Sequence, residues 1–278
     1  MRASTPAVVL LVVTGLIAQR PLLMQAQSST TRFGEIGLRV QDPAVHKKLW
    51  VDLLGAESVR VGNVDAIRFP GTLLILRTAT PSAGSDGSSL NHFGVLVADI
   101  DGTLAKLTAA KIEKVGDLMT RTPRQFTVNF PDSVRVEFTE DTELATPIAN
   151  HHMHTRTTDP EQVRDWYAKT FSIPQGMRAG KTFTEGSTTG NFPAVAVAGG
   201  EVDFAKNDTA LAPTTGRAID HIGFEIQGLN AFVARLIATG ATIDQPVHED
   251  PDTHVKTAYV VDPIGVRIAL TEGLPLRP

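Results

Sequence analysis

Asn91-His92-Phe93-Gly94-Val95-Leu96-Val97 returns, altered, as Asp220-His221-Ile222-Gly223-Phe224-Glu225-Ile226. Both stretches have the alternation of a strand, in which residues two apart share a face. His221, Gly223 and Glu225 fall on one side, and Ile222, Phe224 and Ile226 form an apolar side suited to packing under a helix. Each stretch is followed by an amphipathic segment and then by a second matching pair, Phe130-Pro131-Asp132-Ser133-Val134-Arg135-Val136-Glu137-Phe138-Thr139-Glu140 and Asp262-Pro263-Ile264-Gly265-Val266-Arg267-Ile268-Ala269-Leu270-Thr271-Glu272. A duplication that keeps a histidine at the start of one strand bears on architecture and on a metal-holding hollow at once.

Outward from these strands, the same order of elements recurs. Phe33 to Val40 alternates as a strand. Asp42-Pro43 then opens a helix carrying Val45, Leu49 and Leu53 at helical spacing, with Gly55 as its stop. Short strands are predicted at 67–69 and 73–77, a Ser- and Gly-rich loop at 81–89, a helix over 103–110, and strands at 126–129 and 134–139. After a polar linker, 141–150, the second copy gives a strand at 151–156, a helix from Asp159-Pro160 to Phe171, strands at 194–197 and 201–205, the strand from His221, a helix over 231–239 and a hairpin of 255–261 with 266–271. Each copy therefore holds strand, helix and strands twice over.

Composition narrows the function. The 278 residues are 42% hydrophobic, enough for two domains with cores of their own. A net charge of -4, no cluster of Lys and Arg, and 6% aromatics argue against nucleic-acid or anionic-membrane binding. No cysteine is present, so disulfides, thiolate nucleophiles and Cys-type zinc sites are excluded, and any metal must be held by His, Asp or Glu. No phosphate loop, dinucleotide fingerprint or Gly-x-Ser-x-Gly elbow occurs. At the N-terminus, Arg2, the apolar run Ala7 to Ala18 and the small residues around Ala26 read as a secretory signal over 1–26, too short to span a bilayer. The expectation is an exported, periplasmic or secreted protein with no stable membrane insertion after processing.

Three segments carry a family resemblance: His152 ahead of Asp159-Pro160 and Trp166-Tyr167; Asp220-His221-Ile222-Gly223-Phe224; and Tyr259-Val260-Val261-Asp262-Pro263-Ile264-Gly265. These resemble the vicinal oxygen chelate superfamily of glyoxalase I, extradiol dioxygenases and bleomycin-resistance proteins, over about 33–140 and 150–273. The resemblance implies an α+β chain of tandem βαβββ modules forming two cup-shaped mixed sheets, with metal ligands on the first, fourth, fifth and eighth strands of a cup.

Carried over residue by residue, the resemblance implies His152, Asp203 and His221 as metal ligands in the second copy, where Ala269 occupies the last ligand position and offers no donor. His152, His154 and Arg156 share a face there. In the first copy it implies Glu35, His92 and Glu137, with apolar Leu74 to Leu76 near the fourth-strand position. Ion pairing with Arg39 or Arg135 competes for Glu35 and Glu137, and a solvated edge position for Asp203. Glu225 and Tyr259 are the candidate proton-moving residues. Two functions are open: an enzyme using Fe, Mn, Zn or Ni on a small molecule with neighbouring oxygens, in the manner of a lyase, isomerase or dioxygenase, or a metal-free small-molecule binding protein of the bleomycin-resistance type.

Overall fold

The computed structural model describes residues 31–277, so the leader read as a signal peptide lies outside the described residues. Four modules follow one another. The first runs β1 (Thr31–Val40), α1 (Pro43–Lys47, continued by π-helical turns over Lys48–Leu53), β2 (Glu57–Val61), β3 (Val64–Phe69) and β4 (Thr72–Thr78). The second is β5 (Leu90–Val97), α2 (Ile100–Ala109), β6 (Glu113–Met119), β7 (Gln125–Phe130) and β8 (Val134–Glu140). The third has one strand more: β9 (Ile148–Thr157), α3 (Pro160–Phe171), β10 (Gln175–Ala179), β11 (Thr182–Glu185), β12 (Phe192–Val197) and β13 (Gly200–Lys206). The fourth is β14 (Ile219–Ile226), α4 (Leu229–Ala238), β15 (Thr242–Glu249), β16 (Lys256–Val261) and β17 (Arg267–Glu272). Among the described residues, no helix is long and apolar enough to cross a membrane.

Local chemistry sets the helix starts. Asp42, Asp99 and Asp159 each accept a hydrogen bond from a backbone N–H of the first turn, and Pro43 and Pro160 take early positions where a missing N–H costs nothing. Because Asp99 caps, α2 begins at Ile100, three residues before the helix predicted over 103–110.

Pairing between modules decides where the site lies. In every module the first strand runs parallel to the last. First strands of different modules then meet antiparallel at the sheet centres, β1 with β14 and β5 with β9. The resulting orders are β15-β16-β17-β14-β1-β4-β3-β2 and β11-β10-β12-β13-β9-β5-β8-β7-β6. The eight-stranded sheet thus joins the first and fourth modules, and the nine-stranded sheet joins the second and third. Each cup takes one module from each copy.

Apolar packing explains why the copies interleave. The alternation of β5 points Phe93 and Val95 to one side and His92 and Gly94 to the other. Trp50, at the end of the first module's helix, packs on Phe69 of its own sheet and on Phe93 and Phe130 of the other. Phe171 at the end of α3 meets Phe224 of β14, ring centroids 4.6 Å apart. One apolar core therefore runs through both sheets, and the polar strand faces are left to line the cups.

Candidate metal centre

The strand pairing regroups the residues that the sequence assigned to separate copies. His152 and Asp203 do not meet His221, because β9 and β13 belong to the nine-stranded sheet and β14 to the other. Likewise Glu35 is parted from His92 and Glu137. The correction has a simple cause: the antiparallel partner of each first strand comes from the other copy, so half of each predicted set changes places. The nine-stranded cup gathers His92, Glu137, His152 and Asp203. Glu35 and His221 share the eight-stranded cup with Ala269, and Ile75 holds the corresponding place on β4.

In the nine-stranded cup two imidazoles converge on one carboxylate. His92 Nε2 lies 3.7 Å from Glu137 Oε2, and His152 Nε2 lies 3.7 Å from Glu137 Oε1. Both nitrogens are buried, and neither has a hydrogen-bond partner among the described residues. The gaps are too long for hydrogen bonds. Two ligands each about 2.1 Å from a shared zinc-like ion stand at most about 4.2 Å apart, so the spacing suits an ion between them. Donor atoms of His92, His152 and His154 also lie within 4.8 Å of one another.

Neighbouring groups set the ring tautomers. His151 Nε2–H donates to the Lys181 carbonyl at 3.2 Å, which leaves its Nδ1 to accept from His152 Nδ1–H at 3.0 Å. His92 Nδ1–H donates to Asn91 Oδ1 at 3.0 Å, and the Asn91 amide is oriented by donating to Asp86 at 2.8 Å. Both Nε2 lone pairs are thereby turned toward Glu137. Burial, reinforced by nearby cations, holds His92 and His152 well below the ordinary histidine pKa, so both are neutral. Burial also pushes the Glu137 carboxyl up. Gln125 Nε2 donates to Glu137 Oε1 at 3.0 Å and fixes its orientation.

Asp203 behaves differently. Arg178 ion-pairs with it, and His154 Nδ1 lies 2.8 Å from its other oxygen. Burial alone would raise its pKa, but the charges of His154 and Arg178 outweigh that and hold it below the ordinary value. Asp203 is thus engaged away from the His92, His152 and Glu137 group. His154 replaces a glycine. Opposite His152 stands Gly94, opposite His221 stands Gly37 and opposite Glu35 stands Gly223, and in each case a Cβ would lie within 2.5 Å of the facing side chain. Opposite His92 stands His154, and the two rings stack with centroids 4.5 Å apart and planes 11° apart.

The eight-stranded cup is occupied by its own hydrogen bonds. His221 Nδ1–H donates to Asp220 at 2.8 Å and Nε2–H donates to Glu35 at 3.1 Å. Burial lowers the His221 pKa, yet those two hydrogen bonds outweigh it and raise the value, so the ring is an imidazolium. Tyr259 and Glu225 lie in this same sheet, not with the neutral histidines. Tyr259 meets His221 edge-on and stacks on the Arg267 guanidinium, and burial raises its pKa. Glu225 accepts from Thr271 Oγ1 and from the backbone N–H of Gly273 and Leu274, which fastens the C-terminal segment.

A cavity of about 440 Å³ opens over His92, Glu137 and His154. Val115, Met119 and Phe192 supply apolar wall, and four arginines supply charge. Sequence reasoning missed the roles of Asn91, Gln125, His151 and Arg178. Arg178 sits on β10, a strand with no readable alternation, whereas Asn91 against Asp220 was visible in the repeat.

Residues 149–270 match the family model of the glyoxalase/bleomycin resistance protein/dioxygenase superfamily. The chain is similar in fold to glyoxalase I from Zea mays, with TM-score 0.66, 14% identity, and coverage of 87% of this chain and 92% of that one. A proposed dioxygenase from Bacillus subtilis subsp. subtilis is similar too, with TM-score 0.64, 14% identity and coverage of 88% and 86%. No curated protein sequence matches the chain.

Proposed function

We propose that this member of the vicinal oxygen chelate superfamily is a divalent-metal-dependent enzyme, of the lyase, isomerase or dioxygenase kind, that acts on a small molecule with neighbouring oxygens in the nine-stranded cup. One observation carries the reading: two buried, neutral imidazole nitrogens without hydrogen-bond partners face the two oxygens of Glu137. His92, His152 and Glu137 would hold the ion, a donor set suited to Fe(II), Mn(II), Zn(II) or Ni(II). The ion supplies a Lewis acid for adjacent substrate oxygens.

The chain's own residues do the rest. Asn91 and His151 keep the ligand rings in the tautomer that leaves Nε2 free. His154, backed by Asp203 at Nδ1, lines the cavity and is the group placed to take or give a proton there. Glu225 and Tyr259 have no such place. Arg178 locks Asp203 so that His154 keeps its partner. Export forms part of the proposal and rests on Arg2 and the apolar run Ala7 to Ala18; N-terminal sequencing of protein recovered outside the cytoplasm tests it.

A metal-free role fits the other cup, where a protonated His221 already fills the space between Asp220 and Glu35. Elemental analysis of the purified protein separates the readings. One divalent ion per chain, removed by chelator and regained on dialysis against the metal, is expected. Absence of a stoichiometric ion after reloading with each of the four metals would leave only the metal-free function.

A further inference from the structure

We infer that the nine-stranded cup takes a small organic carboxylate, whose charge is held by Arg156 and Arg121 while its neighbouring oxygens face the metal group. The inference rests on the metal-enzyme reading above and adds the class of substrate.

The chain carries a net charge of -4, yet the cavity over His92 and His154 is lined by Arg121, Arg135, Arg156 and Arg178 against one acid, Glu137. Two of these cations are spent inside the protein. Arg178 pairs with Asp203, and Arg135 pairs with Asp86 at 2.8 Å. Arg156 and Arg121 have no carboxylate within ion-pairing distance among the described residues; Arg121 only approaches the Met119 sulfur, at 4.0 Å.

Position gives these two their meaning. Arg156 follows His152 and His154 at two-residue steps on β9, so all three face the cup. Arg156 lines the same cavity as His92 and His154. Arg121 stands on the loop between β6 and β7, at the mouth of the same cavity. Arg156 is half-buried, and a guanidinium kept partly out of water without an anion is a costly arrangement that a ligand anion relieves; Arg121 is exposed and adds its charge at the rim. The planar fork of arginine matches a carboxylate two bonds at a time. A neutral diol would leave both cations unanswered, and a cavity of about 440 Å³ admits a small molecule only.

The test uses 3,4-dihydroxybenzoate and catechol, which share the vicinal oxygens and differ in the carboxylate, with phenyl phosphate as the competing anion. Titration calorimetry is run on the metal-loaded and the chelator-treated protein. The acid should bind at least about tenfold more tightly than catechol, in both forms. That ratio should fall toward one in Arg156→Gln and decline in Arg121→Gln, a mouth-loop change that leaves the core intact. Melting temperatures of both variants show that the fold survives. Equal binding of acid and catechol, a ratio unmoved by Arg156→Gln and Arg121→Gln, tighter binding of phenyl phosphate, or no binding of the acid at millimolar concentration each overturns the inference. A ratio that survives in protein unable to hold metal supports the inference and refutes only the metal reading, so the two failures are distinct.

Discussion

Gly94 lies directly under the imidazole of His152: a β-carbon at position 94 would stand 2.2 Å from the ring's Cε1. The ring and the bare backbone come from β9 and β5, paired at this register. Side-chain placement in one copy therefore depends on a missing side chain in the other.

Gly94→Ala should push the His152 ring out of its seat, abolish metal binding and cost about 1–3 kcal/mol through overpacking. Gly223→Ala, which collides with Glu35 in the other cup at 2.4 Å, should destabilise while leaving metal content unchanged. Metal content and chemical denaturation of the two variants check this pair.

His221→Ala leaves Glu35 buried without its cation, while Asp220 keeps Arg267 at 3.1 Å. Removing one partner of a buried ion pair costs about 3–5 kcal/mol, so a large loss of stability is expected. Metal content, normalised to folded protein, should not change, because His221 has no part in the nine-stranded cup.

The same residue gives the stability a pH dependence. The hydrogen bonds to Asp220 and Glu35 raise the folded-state pKa of His221 above the ordinary histidine value, so the fold binds the proton more tightly than the unfolded chain does. Its contribution is complete below about pH 6.5 and is lost as pH rises through the raised folded value. The difference in melting temperature between wild type and His221→Ala should shrink as pH rises above about 6.5. A difference that grows with rising pH would contradict the imidazolium assignment.

Asn91→Ala and His151→Ala touch no metal directly. Each removes the partner that fixes a ligand ring's tautomer, and a loss of about 10–100-fold in metal affinity is expected, with stability little altered. Competition with a chromophoric chelator measures it. Asn91→Asp should go further, since an acid beside His92 reproduces the Asp220-His221 arrangement and favours the protonated ring over the metal-ready one.

Much of the fold was legible because its signals are local. Strand β14 showed its alternation outright, and the Asp-Pro pairs at 42–43 and 159–160 marked two helix starts. Strands β2, β6, β10, β11 and β15 were not legible. All but β10 are the outer edges of the two sheets, where solvent on both sides removes the apolar alternation, and β10, next to the edge, carries Gly176 and Arg178 at its inward positions. Every metal-capable residue named in the site could be found in the sequence, but not its grouping. Which first strand pairs with which is decided by contacts such as Trp50 on Phe93 and Phe171 on Phe224, between residues far apart in the chain. Ala269 looked like a missing ligand of a site containing His152; it belongs to the cup where His221 is hydrogen-bonded to Glu35 instead.

Anomalous diffraction from crystals grown with Zn(II) or Mn(II) tests the central claim most directly. The account predicts one strong peak at bonding distance from His92 Nε2, His152 Nε2 and a Glu137 oxygen, absent in His92→Ala crystals. A peak between Glu35 and His221, or metal-soaked crystals with none in the nine-stranded cup, would contradict it.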